Sequence, residues 1–141
     1  MSTHILCAID LTHEDDARLL LAETAKIAAQ QGAAISIMTV LPDYGMSFVG
    51  SFFQEGTLKE AAQAALEALH RLEKEMLADH KVQSIVKIGS AYEEILQTAE
   101  ACEADLIIVG AHKPDLADRI IGPNAARVAR YAKVSVLVLR I

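Results

Sequence analysis

Two glycines near the end of the chain are spaced as in a phosphate-binding loop. The apolar run 105–109 ends at Gly110, a polar stretch of eleven residues follows, and Gly122 precedes a predicted helix. Glycine lets the backbone approach an anion closely, and the first turn of a helix presents N–H groups without partners inside the helix. The spacing therefore predicts a phosphate cradle between a strand and a helix.

Asp10 is the second residue with potential ligand chemistry, because it directly follows the first apolar run, His4–Ile9. A carboxylate there can accept hydrogen bonds from ribose hydroxyls or an adenine amine, or bind a cation. The alternative is that Asp10 stabilises the turn after the strand, as Asp often does. We favour the ligand role, because ligands of parallel sheets bind at the carboxyl ends of strands.

The remaining reactive residues predict neither a metal site nor a catalytic centre. The two cysteines, Cys7 and Cys102, form no Cys-x-x-Cys pair and are interpreted as reduced structural thiols. The five histidines have no metal-ligand spacing. His112 is the only candidate base near the loop, and we interpret it as a loop contact or an exposed residue. We predict a protein that is not an enzyme, although slow ATP hydrolysis or phosphotransfer stays open.

Length and composition predict one cytoplasmic domain spanning residues 1–141. The strongest apolar run, Leu106–Ala111, is far shorter than the roughly 20 residues of a membrane helix, and no basic leader precedes the first apolar run. The net charge of −6 argues against nucleic acid as a partner. Residues 1–103 carry −9 and residues 104–141 carry +3, which suits an anion site or simply a basic solvated helix face.

Apolar runs alternate with amphipathic segments along the whole chain. The predicted strands are His4–Ile9, Ala33–Leu41, Val82–Ile88, Asp105–Ala111 and Val134–Arg140, and the predicted helices span about 13–31, 57–79, 90–103 and 123–132. Thr12, Thr57 and Ser90 are predicted to cap helices, and Gly32 to end one. This alternation predicts an α/β fold with a single doubly wound, Rossmann-like parallel sheet of strand order 3-2-1-4-5.

Residues 42–56 are predicted to form a long loop that contains all three phenylalanines. The loop could be a lid or a partner-binding surface, or simply a packed loop. In the predicted sheet, the ends of the first, second and fourth strands (8–10, 39–41 and 109–110) converge on one cleft, where the strand order reverses.

The chain resembles the universal stress proteins over essentially its whole length. The matching segments are 5–10, 39–41, 89–95, 104–110, 122–132 and 134–138. The loop 112–114 and the junction 121–125 are similar to the F- and G-type subgroup. The resemblance implies a fold like that of the adenine nucleotide alpha hydrolases and a stress-response regulator that binds ATP or AMP, with or without Mg²⁺.

The same resemblance supplies the candidate binding residues. It places adenine at the backbone of Ala8 and Val40, ribose near Asp10 and Gly110, and phosphates along Lys113 and the start of the last helix. The complete set is Ala8, Ile9, Asp10, Val40, Val109, Gly110, His112, Lys113, Gly122, Pro123, Asn124 and Ala125.

The phosphate loop departs from the pattern of ATP-binding family members at two positions. Lys113 stands at the second glycine, and Pro123 replaces the Ser or Thr after the last glycine, in a loop one residue shorter. Proline removes a hydroxyl and a backbone N–H from the cradle. The alternative function is thus a nucleotide-free protein–protein interaction module of the same fold with a degenerate loop.

The last strand, Val134–Arg140, is apolar on both faces at a predicted sheet edge, which invites pairing with another chain. The family resemblance implies a homodimer that joins these strands antiparallel about a two-fold axis.

Overall fold

The protein, seen here as a computed structural model, is described over residues 3–42, 55–111 and 123–141. Five parallel strands in the order β3-β2-β1-β4-β5 form one sheet within these ranges. The strands are β1 (His4–Ala8), β2 (Ala34–Leu41), β3 (Val82–Ile88), β4 (Leu106–Ala111) and β5 (Ser135–Arg140). The helices are α1 (Glu14–Gln31), α2 (Glu55–Met76), α3 (Ala91–Ala101) and α4 (Pro123–Tyr131). The predicted fold class and strand order are confirmed.

Successive residues of each strand supply two separate cores, one on each face of the sheet. Ile5 and Cys7 of β1 pack with the apolar faces of α1 and α2. Leu6, between them, packs with α3 and α4 on the other face. Both faces are covered, as a parallel sheet requires, so the open regions of this sheet are its ends and edges.

Two of the predicted helix caps are wrong. Helix α2 begins at Glu55, so Thr57 lies inside it and the predicted loop 42–56 is too long; residues 43–54 lie outside the described ranges. The residue before α1 is His13, and the hydroxyl of Thr12 bonds Asp10 instead of capping the helix. Short-range side-chain hydrogen bonds of this kind compete with capping, so a capping pattern alone does not fix a helix start.

Two other predicted helix ends are confirmed. Ser90 stands at the N-cap of α3, although its hydroxyl makes no capping hydrogen bond. Gly32 ends α1 with φ of 65° and donates its N–H to the carbonyl of Ala28. A positive φ is the conformation that favours glycine at a helix C-terminus.

Candidate functional site

A cavity of about 560 Å³ opens at the carboxyl end of the sheet, among the ends of β1, β2 and β4 and the first turns of α1, α3 and α4. Its volume lies within the range of small-molecule sites, roughly 300–1,000 Å³. The structure brings eight of the predicted site residues together in its lining. They are Ala8, Ile9, Asp10, Val40, Val109, Gly110, Asn124 and Ala125.

The cleft exists because the central strand ends before its neighbours. The N–H of Ile9 donates to the carbonyl of Met38 at 2.8 Å, and the chain then turns away from the sheet at Asp10. Strand β2 continues to Leu41 and β4 to Ala111. The connection after β1 runs to β2 and the connection after β4 runs the opposite way to β5, so the two leave a crevice between the ends of β1 and β4.

The backbone of Val40 faces the cleft. Alternate residues of a parallel strand direct their N–H and C=O groups to the same neighbour. Ala34 and Met38 bond Thr3 and Ile9, the residues on either side of β1. Ile35 and Leu41 bond Lys81 and Gly89, the residues on either side of β3. Val40, two residues beyond Met38, therefore presents one donor and one acceptor toward the side that β1 has left.

Asp10 has the turn role that the sequence left as an alternative. Its Oδ1 accepts hydrogen bonds from the Thr12 N–H at 2.9 Å and the Thr12 hydroxyl at 2.6 Å. The side chain also lines the cavity and is exposed to it. The turn holds the carboxylate in a fixed position, so the predicted contact with a ligand is compatible with the observed turn.

Gly110 has a packing partner that the sequence analysis missed. A Cβ atom at this position would lie 2.8 Å from Cδ1 of Ile141 and 3.8 Å from Cδ2 of Leu20. Ile141 follows β5 and lines the cavity beside Gly110. The parallel pairing of Arg140 with Ala111 is the signal that could have placed it there. Gly110 thus provides space for the Ile141 side chain.

The start of α4 forms the opposite wall of the cavity. The helix begins at Pro123, as predicted, and Asn124 and Ala125 line the cavity. No acidic residue occupies its first turn, so the partial positive charge of the helix start is not offset there. Proline has no N–H to donate, which leaves the following residues as the backbone donors of this turn. His112, Lys113 and Gly122 lie outside the described residues.

Twelve further residues line the cavity. Two of them, Thr39 and Leu41, belong to the strand end that the sequence analysis placed at the cleft. The ten that it missed are Leu11, Thr12, His13, Asp16, Ala17, Leu20, Pro42, Ala91, Ile95 and Ile141. Most of them are apolar and suit the faces of a planar aromatic group. The signal for the α1 members was available, since Ala17 and Leu20 lie on the buried stripe of that helix.

Neither cysteine is among the residues that line the cavity. Burial raises the pKa of the Cys7 thiol to about 12, against a smaller lowering by the hydrogen bond from Thr24, so this thiol stays protonated and unreactive. Both Cys7 and Cys102 are free thiols.

Within the described ranges, no group of three or more His, Cys, Asp or Glu side chains could hold a metal ion. Helices in these ranges also lack a segment both long and apolar enough to cross a membrane.

Comparison with known proteins identifies the family. A family model described as the universal stress protein family matches residues 1–140. The chain belongs to this family. Universal stress protein G of Shigella flexneri is 28% identical over 123 residues, which cover 82% of this chain and 84% of that protein. Universal stress protein A homolog 2 of Coxiella burnetii is 31% identical and covers 97% of this chain and 94% of its own length. The similarity to universal stress protein G agrees with the predicted resemblance to the F- and G-type subgroup.

Solved universal stress protein structures share the fold. The protein UspA from Lactobacillus plantarum superposes with a TM-score of 0.74 at 21% identity, covering 98% of this chain and 97% of that one. A universal stress protein in complex with cAMP superposes with a TM-score of 0.68 at 21% identity, covering 99% of this chain and 97% of that one. The protein from Archaeoglobus fulgidus in complex with dAMP gives 0.63 at 18% identity, covering 96% of each chain.

Proposed function

We propose that this universal stress protein is a cytoplasmic stress-response regulator that binds an adenine nucleotide and acts as a binding module rather than as an enzyme. The single observation that carries the proposal is the cavity at the carboxyl end of the sheet. It gathers a backbone donor and acceptor at Val40, the positioned carboxylate of Asp10 and the start of α4.

Each wall of the cavity suits one part of a nucleotide. The N–H and C=O of Val40 match the hydrogen-bonding edge of adenine, and apolar side chains flank the space in front of them. The carboxylate of Asp10 can accept hydrogen bonds from ribose hydroxyls. The first turn of α4 attracts one phosphate. Two relatives of the same fold were solved with cAMP and with dAMP, which supports a nucleotide with a single phosphate.

The start of α4 at Pro123 favours a second candidate function, a nucleotide-free interaction module. A phosphate at this helix has lost one backbone donor and one hydroxyl relative to the family pattern. Hydrogen bonds to charged groups contribute about 1.5–3 kcal/mol each, so the loss would weaken a triphosphate by tenfold or more. Recognition of the adenosine part does not depend on Pro123.

Calorimetric titration with AMP, and with ATP plus Mg²⁺, tests the proposal on the wild type and on Pro123→Ser. We expect AMP to bind both proteins, and ATP to bind Pro123→Ser at least about tenfold more tightly than the wild type. Lack of any nucleotide binding by either protein would favour the interaction module. Equal, tight ATP binding by both would show that the missing donors do not matter.

Asp10→Asn separates ligand recognition from the turn. Asparagine keeps an acceptor for the Thr12 N–H, so the turn is expected to persist, while the charge that attracts ribose hydroxyls is lost. We expect AMP to bind this variant several-fold more weakly at unchanged thermal stability. A variant that binds AMP like the wild type would restrict Asp10 to the turn.

We further propose that the chain forms a homodimer through β5. This strand is one edge of the sheet, and its central residues are only partly buried in the single chain. Pairing of two such edges would satisfy backbone groups and cover apolar side chains at the same time.

A further inference from the structure

Two arginines and two tyrosines form an exposed cluster where α3 meets α4. The guanidinium of Arg127 lies over the ring of Tyr92, 5.0 Å from its centre, and that of Arg130 lies 5.6 Å from the centre of the Tyr131 ring. The two rings are 6.5 Å apart and tilted by 35°. We name these four residues the arginine–tyrosine patch.

Three residues of the patch, Arg127, Arg130 and Tyr131, are exposed, and Tyr92 is half-buried. Arg127, Arg130 and Tyr131 are three and four positions apart on α4, so they share a helix face, and Tyr131 is 57% exposed. Val128 of the same helix is fully buried in the core. Tyr92 extends the patch onto α3, which packs against α4.

The guanidiniums of the patch differ from those of Arg18 and Arg71 in having no carboxylate partner among the described residues. Arg18 bonds Glu75 at 3.0 Å, and Arg71 bonds Glu14 at 2.9 and 3.0 Å. Arg127 and Arg130, in contrast, contact only tyrosine rings among the described side chains, and their stacking holds the charged groups in place. Arginine binds carboxylates in a planar, two-bond geometry, and a side chain already held in place loses less freedom on binding.

Charge selects the class of partner. Two arginines are too few for the many phosphate contacts of nucleic acid or for binding an anionic membrane. The acidic first turn of α1 is a poor match in a second copy, because Glu14 and Asp15 already bond arginines of their own chain. The described residues of α4 include no acid, and Glu93 of α3, which borders the patch, accepts a hydrogen bond from the Tyr92 hydroxyl at 3.1 Å. A short acidic segment of another protein can therefore reach Arg127 and Arg130 from the α4 side.

We propose that the arginine–tyrosine patch is a docking surface for an acidic segment of a partner protein, with carboxylates on Arg127 and Arg130 and an apolar or aromatic side chain on Tyr131. Arginine and tyrosine are enriched among the residues that dominate protein–protein binding energy, which agrees with this assignment. The inference does not require an occupied cavity, so it stands apart from the proposed nucleotide function.

Selection of a random-peptide display library on the full chain tests the proposal. We expect enrichment of peptides that combine Asp or Glu with aromatic residues. The affinity of a synthetic copy, measured by fluorescence anisotropy, should fall about tenfold or more in Arg127→Glu/Arg130→Glu and also fall in Tyr131→Ala. The matched control is Lys59→Glu/Lys74→Glu, which changes the net charge equally at exposed positions of α2 and should keep affinity within about twofold.

Several outcomes would overturn the proposal. They are a selection without acidic enrichment, an equal loss of affinity in both charge-reversed variants, and binding of poly(U) that Arg127→Glu/Arg130→Glu abolishes. Self-association of the wild type that the same variant abolishes would assign the patch to a second copy instead. Circular dichroism of each variant checks that these surface changes leave the fold intact.

Discussion

Thr98 and Thr24 are both buried threonines, but only one of them has its hydroxyl satisfied. The hydroxyl of Thr98 has no hydrogen-bond partner among the described residues, and the residue is 4% exposed. The hydroxyl of Thr24 donates to the carbonyl of Leu20 at 2.9 Å and lies 3.4 Å from the Cys7 sulfur. Burial of an unpaired hydroxyl costs free energy, whereas loss of a paired one removes a favourable contact.

We therefore predict opposite effects of the same substitution at the two sites. Thr98→Val should raise the free energy of unfolding by about 1 kcal/mol, and Thr24→Val should lower it by about 1 kcal/mol. Urea unfolding of both variants measures the difference. Similar destabilisation in the two would show that Thr98 gains a partner in solution, for example a buried water.

Gly110 and Ile141 are expected to be energetically coupled at the cavity wall. The added methyl group of Gly110→Ala would meet the end of the Ile141 side chain, which can turn aside, so the cost should be about 1 kcal/mol, at the low end for an overpacked site. Ile141→Val removes the Cδ1 atom that stands in the way. A double-mutant cycle of unfolding free energies should show a smaller cost of Gly110→Ala in the Ile141→Val background. Equal costs in both backgrounds would indicate that the glycine serves the backbone or a ligand alone.

Asp105 connects elements, because its carboxylate ties the start of β1 to β4. Its Oδ2 accepts hydrogen bonds from the Thr3 N–H at 2.8 Å and the Thr3 hydroxyl at 3.2 Å, and Oδ1 accepts from the His4 N–H at 3.3 Å. The backbone hydrogen bond from Thr3, above all, lowers the pKa of the Asp105 carboxyl, against the opposing effect of partial burial.

A lowered pKa in the folded state makes this contribution sensitive to acid. The stabilisation is fully present above the ordinary Asp pKa of about 3.9 and disappears as the pH falls through the lower folded-state value. Asp105→Asn should accordingly lower the unfolding free energy at pH 7, with a difference from wild type that shrinks below about pH 4. Asp79→Asn, at an exposed position, is the control and should change little. A difference that stays constant through the acid range would show that the charge of Asp105 does not provide this stabilisation.

Strand prediction from this sequence was reliable because each strand carries a signal along its whole length. The run Leu106–Ala111 is apolar at every position except glycine, as a strand covered on both faces must be. Helix starts depend on a few local hydrogen bonds, and the same hydroxyl can bond either the helix backbone or a neighbouring side chain. Thr12 bonds Asp10 rather than α1, and no pattern in the sequence distinguishes that turn from a cap.

The cavity belongs to the whole molecule, and topology explains why much of it could be predicted. Strand order 3-2-1-4-5 forces the ends of β1, β2 and β4 together, so Asp10, Val40 and Gly110 follow from the order alone. Ile141, which follows β5, and Ala91, the first residue of α3, also enter the lining. Their positions depend on how far each strand runs and how each helix tilts, which periodicity does not encode.

The two edges of the sheet differ in what they offer to a second chain. Strand β5 presents four consecutive partly buried apolar residues, Val136–Leu139, before exposed Arg140. The other edge, β3, is interrupted by polar Gln83 and Ser84 and ends in exposed Lys87 and Ile88. A charged side chain on an edge opposes pairing with another strand. The proposed homodimer should thus form at β5 and leave β3 free.

Light scattering coupled to size exclusion at micromolar concentration should give twice the mass of one chain. Ser135→Lys adds a charge at an exposed position of β5 and should shift the equilibrium toward monomer. Gln83→Lys makes the same type of change on β3, also at an exposed position, and should leave the mass unchanged. A wild type that elutes as a monomer would refute the homodimer. Dissociation by Gln83→Lys alone would show that the interface lies at β3. Another part of the protein or a partner would then have to cover the apolar side chains of β5.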